Sequence, residues 1–243
     1  MKDTLVIIPT YNEKDNIRIM INTVFALPDV FDLLIVDDNS PDGTAQIVEE
    51  IQKEHPERLH LMKRAGKLGL GTAYLEGFAW GLAQGYERLC EMDCDFSHDP
   101  NDLPRLRQAI LDGADVAVGS RYTEGGGVYN WPKRRILLSK GASIYARLIT
   151  WIPVNDTTAG FVCYTRKFLE NLDFSKIVFK GYAFQIQMKY AAHLMGYKIV
   201  EVPIFFKDRE FGVSKMSSNI IKEAILGILK LKWNSFFDSY QKK

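Results

Sequence analysis

The chain has 243 residues, of which 47% are hydrophobic and 25% are charged, and its formal net charge is +1. That length suits one large domain with a sizeable core, and the composition is that of an ordinary globular protein. A nearly neutral chain has no overall attraction for nucleic acid, so we expect no nucleic-acid partner.

The N-terminal segment MKDTLVIIPTYNE has no charged-then-apolar signal followed by a cleavage site. The apolar stretches are shorter than the roughly 20 residues that a membrane-spanning helix needs. The three cysteines, Cys90, Cys94 and Cys163, form neither a metal-spaced pair nor an even disulfide set. We therefore expect a cytoplasmic protein that is soluble or is peripheral on the cytoplasmic face of a membrane.

The first half of the chain alternates short apolar strands with amphipathic helices. Predicted strands cover residues 4–9, 31–38, 59–64, 88–95 and 114–122, and predicted helices cover 12–27, 41–56, 69–85 and 101–113. Gly69 and Gly71 indicate a tight turn into the third of these helices. This alternation predicts an α/β fold with a mostly parallel central sheet and helices on both faces.

Beyond Arg121 the pattern changes. The triplet Gly125, Gly126 and Gly127 predicts a loop. It is followed by a basic helix (131–150), a second helix (182–197), a strand (198–206), a loop (207–218) and a final apolar helix. We divide the chain into a main domain, residues 1–216, and a C-terminal amphipathic helix in residues 217–243.

The C-terminal helix is predicted to have a narrow polar side. At 100° per residue, its polar residues lie within about 120° of one another; they are Asn219, Lys222, Glu223, Lys230 and Asn234. Most other positions are apolar, which favours a helix that lies on a lipid surface. Packing on the protein's own core, or on a separate transmembrane subunit, is the alternative.

Polar side chains gather where the predicted strands end, which is where open α/β sheets bind ligands. Strand alternation predicts that the side chains of Asp93 and Asp95 point to the same side. Two close carboxylates suit Mg²⁺ or Mn²⁺, with substrate phosphates completing the coordination. Helix capping is the structural alternative for an isolated D-x-D. The metal is favoured by the residues at two further strand ends, which are Pro9, Tyr11 and Glu13, and Asp37, Asp38 and Asn39.

Cationic side chains flank this predicted metal site. Arg121 ends the fifth predicted strand, and the others lie in the basic helix (Lys133, Arg134, Arg135, Lys140) and in the loop DREFGVSK (Arg209, Lys215). A solvated basic face is the alternative interpretation. Their position in a nearly neutral chain favours contact with phosphate groups of an acceptor or a leaving group.

Seven motifs, in order, resemble those of the family 2 glycosyltransferases: VIIPTYNE, LLIVDDNSPDGT, GLGTAYLEGF, MDCDFSHDP, VGSRY, KGYAFQIQM and DREFGVSK. Within that family they resemble most the dolichyl-phosphate (polyprenyl-phosphate) mannosyltransferases. The resemblance covers about residues 4 to 235. It implies a GT-A (Rossmann-like) fold in the main domain, a sugar-nucleotide donor and a lipid-phosphate acceptor.

The resemblance also implies roles for individual residues. The nucleoside would contact Pro9, Tyr11, Glu13, Val36 and Asp38. The donor would meet Asp93, Cys94 and Asp95, with the two aspartates on the metal; Cys94 replaces the usual alanine. Ser97 stands where some relatives carry a glutamine ligand. The acceptor phosphate would meet Arg121, Arg135 and Ser139, with Asp156 nearby, and the loop with Arg209 and Lys215 would close over the phosphates.

The implied reaction is an inverting, metal-dependent transfer of mannose from GDP-mannose to dolichyl or polyprenyl phosphate. The implied catalytic residues are Asp95, Arg121 and Arg209. The acceptor phosphate is already an anion at neutral pH, so no strong general base is needed, and His98 is expected to be structural.

Three alternatives come from the same residues. The first keeps the fold and transfers glucose or an aminosugar from a UDP-sugar to the same lipid. The second is a non-catalytic sugar-nucleotide-binding subunit, which we would expect to lack the D-x-D or the cationic loop. The third is a phospho-accepting receiver-type signalling module, because LLIVDDNS resembles its acidic pocket. In such modules the acidic pair follows the first strand, whereas here it follows the second.

Overall fold

The structure is a computed structural model that describes residues 2–181, 183–207, 218–237 and 239–242, without the side chains of 218–225. The strands are β1 (Lys2–Thr10), β2 (Asp32–Asp37), β3 (Leu59–Lys63), β4 (Tyr86–Glu91), β5 (Val116–Ser120), β6 (Gly127–Val128), β7 (Val162–Thr165), β8 (Ile199–Pro203) and β9 (Phe205–Phe206). The helices are α1 (Ile17–Phe25), α2 (Thr44–Gln52), α3 (Leu70–Ala83), α4 (Leu103–Leu111), α5 (Lys133–Thr150), α6 (Arg166–Asn171), α7 (Ala183–Leu194) and α8 (Ser218–Asn234). Short 3-10 helices cover Pro100–Asp102 and Phe174–Lys176.

Seven strands form the central sheet in the order β3-β2-β1-β4-β7-β5-β8. All neighbouring pairs are parallel except those of β7, which runs antiparallel to both β4 and β5. The short strands β6 and β9 pair separately and in parallel. The predicted mostly parallel α/β sheet is therefore confirmed.

The sheet separates two apolar cores. Leu5 and Ile7 of β1 face the core that includes residues of α3 and α7, whereas Val6 and Ile8 face the core that includes residues of α1, α2 and α4. Strand alternation sends successive side chains to opposite faces, and β1 is apolar on both because helices cover both. This arrangement confirms the predicted layers.

Two details of the sheet differ from the prediction. Strand β4 ends at Glu91, four residues before the predicted end at Asp95. The chain turns there, and Phe96 adopts a left-handed φ of 58°. Strand β7 was not predicted; its four residues, VCYT, are too short a run to indicate a strand without the partners β4 and β5.

The start of α3 lies against the segment that precedes α7. Gly69 has φ +107°, and the Gly71 amide donates to the Lys180 carbonyl at 2.9 Å. A Cβ on Gly71 would lie 2.8 Å from the Phe179 carbonyl oxygen and 2.7 Å from Cδ2 of Phe184. Glycine at these positions permits both the predicted turn and the close approach of two backbones.

The helix α8 packs against α5 and α7. Its residues Ile228 and Leu231 are buried, whereas Leu226 and Trp233 are exposed. The division between residues 216 and 217 stays a prediction. In the described parts of the chain, no helix combines the length and apolar character that crossing a membrane requires.

We expect Gly71→Ala to lower the free energy of unfolding by about 1–3 kcal/mol, because the added methyl group must displace packed backbone and ring atoms. The control is Gly141→Ala in α5, where an added Cβ meets nothing within 4 Å. That change should stabilise the helix by up to about 1 kcal/mol. Urea unfolding of the two variants tests the pair, and equal effects would contradict the close approach.

Candidate active site

The carboxyl ends of β1, β2, β4 and β5 lie at one edge of the sheet. Strands β1, β2 and β4 are parallel, and β4 and β5 are both antiparallel to β7, so they point the same way. All the predicted site residues that follow these strands therefore meet at this edge. It is the edge at which such sheets bind ligands.

The segment 93–98, here the acidic loop, is held by its own polar side chains. Oδ1 of Asp95 accepts hydrogen bonds from the Ser97 hydroxyl and from the Ser97 amide, the latter at 3.1 Å. The Asp93 amide donates to Nδ1 of His98 at 3.2 Å. Because Nδ1 accepts this bond, His98 is in the neutral tautomer with its proton on Nε2. His98 thus fixes the backbone of Asp93, which agrees with a structural role.

The expected strand alternation of Asp93 and Asp95 is wrong, because β4 ends before them. The turn sets their directions: the Asp93 side chain is 30% exposed, whereas Asp95 is buried. Burial, and then the charges of Glu13, Asp95 and Asp93, raise the pKa of the Cys94 thiol. Glu13, from the end of β1, therefore faces the same loop, and Cys94 stays a neutral thiol.

The donor set of the acidic loop fits a divalent cation that is bound partly by substrate. Among the described residues, no group of three or more His, Cys, Asp or Glu side chains is arranged to hold a metal ion. Two carboxylates with open positions for phosphate and water are what Mg²⁺ uses in phosphate-transfer sites. The Ser97 hydroxyl is engaged with Asp95, so its role as a further ligand stays a prediction while its role in positioning Asp95 is visible.

The predicted nucleoside residues lie at the ends of β1 and β2. Val36 is buried in the sheet, Pro9 is half-buried and Tyr11 is exposed, with the Lys67 ammonium 4.6 Å from its ring centroid. Asp38 forms an ion pair with Arg64, at 3.0 Å between Oδ1 and Nη1. Sequence reasoning missed Arg64, which appears only as the basic end of a predicted strand.

Asp37 has a different role from its neighbour Asp38. Its carboxylate accepts hydrogen bonds from the hydroxyls of Thr10 and Ser40, at 2.9 and 2.6 Å. It therefore ties the end of β1 to the turn after β2 and is part of the framework.

Arg121 and Asp156 form a buried bidentate ion pair at the end of β5. Nε and Nη2 of Arg121 donate to the two carboxylate oxygens, each at 2.6 Å, and Nη2 also donates to Thr158 at 2.8 Å. Burial acts to raise the pKa of Asp156, but the hydrogen bonds and charge of Arg121 outweigh it and hold that pKa below its usual range. The structure thus joins two residues that were predicted separately, and Asp156 is the counter-ion of Arg121.

Aromatic rings surround this ion pair. The Arg121 guanidinium lies 5.2–5.5 Å from the ring centroids of Tyr122, Phe206 and Trp131. The Arg135 guanidinium also lies over the Trp131 ring, 3.9 Å from its centroid. The buried Trp131 Nε1 makes no hydrogen bond within the described part of the chain, so it is available as a donor.

Phe206 lies between His98 of the acidic loop and Arg121. Its ring contacts the His98 ring edge-on at 5.3 Å and the Arg121 guanidinium at 5.4 Å, both measured to its centroid. The acidic loop and the cationic cluster of Arg121 and Arg135 are therefore one aromatic ring apart.

A buried polar network lies beneath the acidic loop and was also missed. Gln185 of α7 donates to the Glu91 carboxylate, and Nζ of Lys189 donates to the Ala159 carbonyl at 2.7 Å. Burial raises the pKa of Glu91 and lowers that of Lys189. The network ties α7 to β4 and to the segment that carries Asp156. Its sequence signal was the polar residues within the apolar helix motif KGYAFQIQM.

The remaining predicted residues divide between the site and the undescribed part of the chain. Ser139 lies on α5 next to Tyr122. Burial raises the pKa of Tyr122, whereas the charge of Arg121 and then the hydrogen bond with the Ser139 hydroxyl act to lower it. Arg209 and Lys215 lie outside the described residues.

Comparisons with known proteins give the family and the fold. Residues 5–173 match glycosyl transferase family 2. The polyprenol monophosphomannose synthase of Mycolicibacterium smegmatis is 50% identical over 226 residues, which are 93% of this chain and 85% of that protein. The undecaprenyl-phosphate mannosyltransferase of Micrococcus luteus is 42% identical over 226 residues, 93% of this chain and 92% of that protein. The receiver-type alternative is therefore wrong.

Solved structures share the predicted GT-A fold. The glucosyl-3-phosphoglycerate synthase of Mycobacterium tuberculosis, in complex with Mn²⁺, UDP and glucosyl-3-phosphoglycerate, superposes with a TM-score of 0.64 at 18% identity, covering 96% of this chain and 79% of that one. A mannosyltransferase of Pyrobaculum calidifontis in complex with GDP-Man and Mn²⁺ has a TM-score of 0.58 at 16% identity, covering 98% and 65%.

We expect Asp156→Asn to lower the free energy of unfolding by about 3–5 kcal/mol, because it leaves the buried Arg121 charge without its counter-ion. The control is Glu50→Gln, which breaks the 2.9 Å Arg18–Glu50 pair between two exposed side chains at the surface. That exposed pair should contribute at most about 1 kcal/mol. Urea unfolding at neutral pH compares them, and a similar small loss for both would contradict the buried-pair interpretation.

Proposed function

The chain belongs to glycosyl transferase family 2, and from this membership we propose that it transfers mannose from GDP-mannose to a dolichyl or polyprenyl phosphate. The transfer inverts the anomeric centre, giving a β-linked lipid phosphomannose and GDP, and it depends on Mg²⁺ or Mn²⁺. The chain is a glycosyltransferase; the sugar, the nucleotide and the lipid are the proposal. The names of the two relatives, a polyprenol monophosphomannose synthase and an undecaprenyl-phosphate mannosyltransferase, support the sugar and the lipid.

The observation that carries the proposal is the arrangement around Phe206, whose ring contacts both His98 of the acidic loop and Arg121. A carboxylate pair suits a metal-bound diphosphate, and a cationic cluster suits a second, separate anion. An enzyme that joins a nucleotide-activated sugar to a phosphate needs both anions side by side. The contacts of Phe206 with His98 and Arg121 support this arrangement.

Asp93 and Asp95 would hold the divalent cation, with Ser97 supporting Asp95 and serving as the proposed further ligand. The bound cation would supply charge neutralisation for the departing nucleoside diphosphate. The nucleoside would contact Pro9, Tyr11, Glu13, Val36 and Asp38, and Cys94 would meet the donor through its backbone.

The acceptor phosphate would bind at Arg121, Arg135 and Ser139. Asp156 occupies the Nε edge of Arg121, whereas Nη1 makes no hydrogen bond with any described residue and is the group we assign to the phosphate. A phosphate oxygen attacks the anomeric carbon as the bond from that carbon to the diphosphate breaks, and the diphosphate leaves with the electron pair. No proton must be removed, which agrees with a neutral, structural His98. Arg209 and Lys215 would close over the phosphates.

A UDP-sugar donor with glucose or an aminosugar is the second candidate. The synthase of known structure that was solved with UDP shares the fold at 18% identity, which supports the fold alone. The acidic loop and the cationic cluster would serve either donor equally.

We expect radiolabel from GDP-mannose to appear in the lipid phase when the protein is incubated with polyprenyl phosphate and Mg²⁺ or Mn²⁺. Asp95→Asn or EDTA should reduce this transfer at least about 100-fold, because each removes or weakens binding of the cation whose charge stabilises the leaving group. The control is Asp99→Asn, because Asp99 caps the adjacent 3-10 helix and asparagine caps equally well.

The result distinguishes the candidates. Transfer from UDP-glucose but not from GDP-mannose would keep the mechanism and replace the sugar. Full activity of Asp95→Asn would contradict the metal site.

The lipid acceptor requires access to a membrane, and α5 and α8 supply a suitable surface. Leu137, Ile144 and Leu148 form an exposed stripe along α5. Because α5 has no acidic residue, every other exposed side chain of this helix is cationic or neutral. The exposed cations of α5 are Lys133, Arg134, Lys140 and Arg147. An apolar stripe flanked by cations is typical of helices that lie on anionic lipid. On this proposal the chain is peripheral on the cytoplasmic face of a membrane.

The exposed side of α8 extends this surface. A groove between the two helices is lined by Leu148, Ile149, Trp151, Leu229, Trp233 and Phe236, with Lys230 and Lys232 beside them. Because Ile228 and Leu231 are buried at the same time, α8 packs on the protein with one side and offers the other to lipid. The C-terminal helix can therefore pack on the protein's own core and lie on a lipid surface at the same time.

We expect the double change Leu148→Gln and Trp233→Gln to reduce partition onto vesicles that contain anionic lipid at least about tenfold, from the apolar area lost. Both side chains are exposed, at 70% and 67%, so the fold should be unaffected. The control, Leu111→Gln, removes an exposed leucine from α4. Vesicle flotation measures the partition. Binding equal to that of the control variant would contradict this surface.

A further inference from the structure

Trp131 offers a hydrogen-bond donor that the mechanism above does not use. Its side chain is half-buried, its Nε1 atom is buried, and this atom makes no hydrogen bond within the described part of the chain. Buried indole N–H groups usually have a partner in native proteins. Trp131 directly precedes Pro132, the N-cap of α5, so this donor belongs to the start of the basic helix.

The ring of Trp131 is in contact with both arginines of the cationic cluster. Its centroid lies 3.9 Å from the Arg135 guanidinium and 5.5 Å from that of Arg121. Phe206 meets the same ring edge-on, with the centroids 5.2 Å apart. Indole binds cations more strongly than the other aromatic side chains do. One ring therefore fixes the positions of two guanidinium groups that repel each other.

The start of α5 gathers positive charge. Its first turn holds Lys133, Arg134 and Arg135 and has no acidic residue. The N-terminus of a helix is itself partly positive, so cations there are unfavourable and an anion is favourable. Both carboxylate oxygens of Asp156 are engaged with Arg121. The fold alone gains little from this placement of charge, and a bound anion would offset its cost.

The donors around Trp131 match one class of ligand. Guanidinium and indole N–H groups donate hydrogen bonds and accept none, whereas the oxygens of an ionised phosphate accept them. A phenylalanine would supply a similar apolar surface and cation contact without burying an N–H group. The indole at this position therefore indicates an acceptor that completes the bond.

We propose that Trp131 is a binding residue for the acceptor phosphate: its indole N–H donates to a phosphate oxygen while its ring holds Arg121 and Arg135 in place. This inference rests on the proposed function, in which the two arginines meet that phosphate. The recognised group is the ionised phosphate of a lipid monoester, and the uncharged tail takes no part in this bond.

The test is proton–nitrogen correlation spectroscopy of the indole groups in the full chain during titration with farnesyl phosphate, without a donor. The chain has four tryptophans, Trp80, Trp131, Trp151 and Trp233, and the resonance that disappears in Trp131→Phe is that of Trp131. We expect this resonance to move downfield as farnesyl phosphate saturates the chain, because an ionised acceptor makes a strong hydrogen bond. Farnesol, which has the same tail and no phosphate, should leave it in place. Trp151 and Trp233 line the groove between α5 and α8 and report contacts of the tail.

Matched variants measure the affinity. Trp131→Phe keeps an aromatic ring and removes the N–H group, so it should weaken farnesyl phosphate binding about tenfold or more. It should leave GDP binding, measured with Mg²⁺ present, within about twofold of the unchanged chain, whereas a purely structural loss would weaken both ligands. The control is Trp80→Phe, because Trp80 stacks on Tyr86 at the start of β4, at the opposite edge of the sheet. This control should change farnesyl phosphate binding less than about twofold.

A Trp131 resonance that stays in place while farnesyl phosphate binds would overturn the inference, as would an equal shift with farnesol. Inorganic phosphate separates the two sources of the anion: a response at lower concentrations of inorganic phosphate than of farnesyl phosphate would also overturn the lipid assignment. The spectrum is taken on the unchanged chain. Phenylalanine variants of the other three tryptophans therefore identify the Trp131 resonance by elimination even if Trp131→Phe does not fold.

Failure of the proposed function gives a different result. A chain whose Trp131 resonance responds to farnesyl phosphate but that transfers no mannose would contradict the reaction and support the inference. A chain that binds no farnesyl phosphate would contradict both.

Discussion

The site depends on an ion pair that is shielded from water. Arg121, at the end of β5, and Asp156, in the segment before β7, share two hydrogen bonds in an almost fully buried environment. The amides of Asn155 and Asp156 in turn donate to the carboxylate of Glu201 on β8. One arginine thereby fixes a strand end, a connecting segment and the edge strand of the sheet. Either charge alone would be costly there, so the arrangement is stable only as a whole.

This constraint also sets the charge that a ligand meets. Asp156 neutralises one edge of Arg121, and the second cation of the cluster, Arg135, lies with its guanidinium on the ring of Trp131. The acidic loop meets Arg121 through Phe206, whose ring also contacts His98. A metal-binding acidic loop beside a cationic cluster suits a reaction that brings a diphosphate and an acceptor phosphate together.

The sequence predicts this architecture well where local patterns decide it. The apolar runs of β1 and β2 indicate strands covered on both faces, and the polar residues at their ends indicate the ligand edge. It predicts less where distant segments meet. Strand β7 exists through its pairing with β4 and β5, and the pair of Arg121 with Asp156 spans 35 positions. The direction of Asp93 depends on a bond to His98, and no periodic pattern encodes such a turn.

The surface of α5 and α8 has a consequence for handling the protein. Leucine and tryptophan side chains on these helices, and the two phenylalanines just after α8, face water, and contiguous apolar patches of this kind seldom stay uncovered. In lipid-free buffer, this apolar patch can be buried against the same patch on a second molecule. Sedimentation and scattering of the purified chain would then report a concentration-dependent size, and mild detergent would remove that dependence.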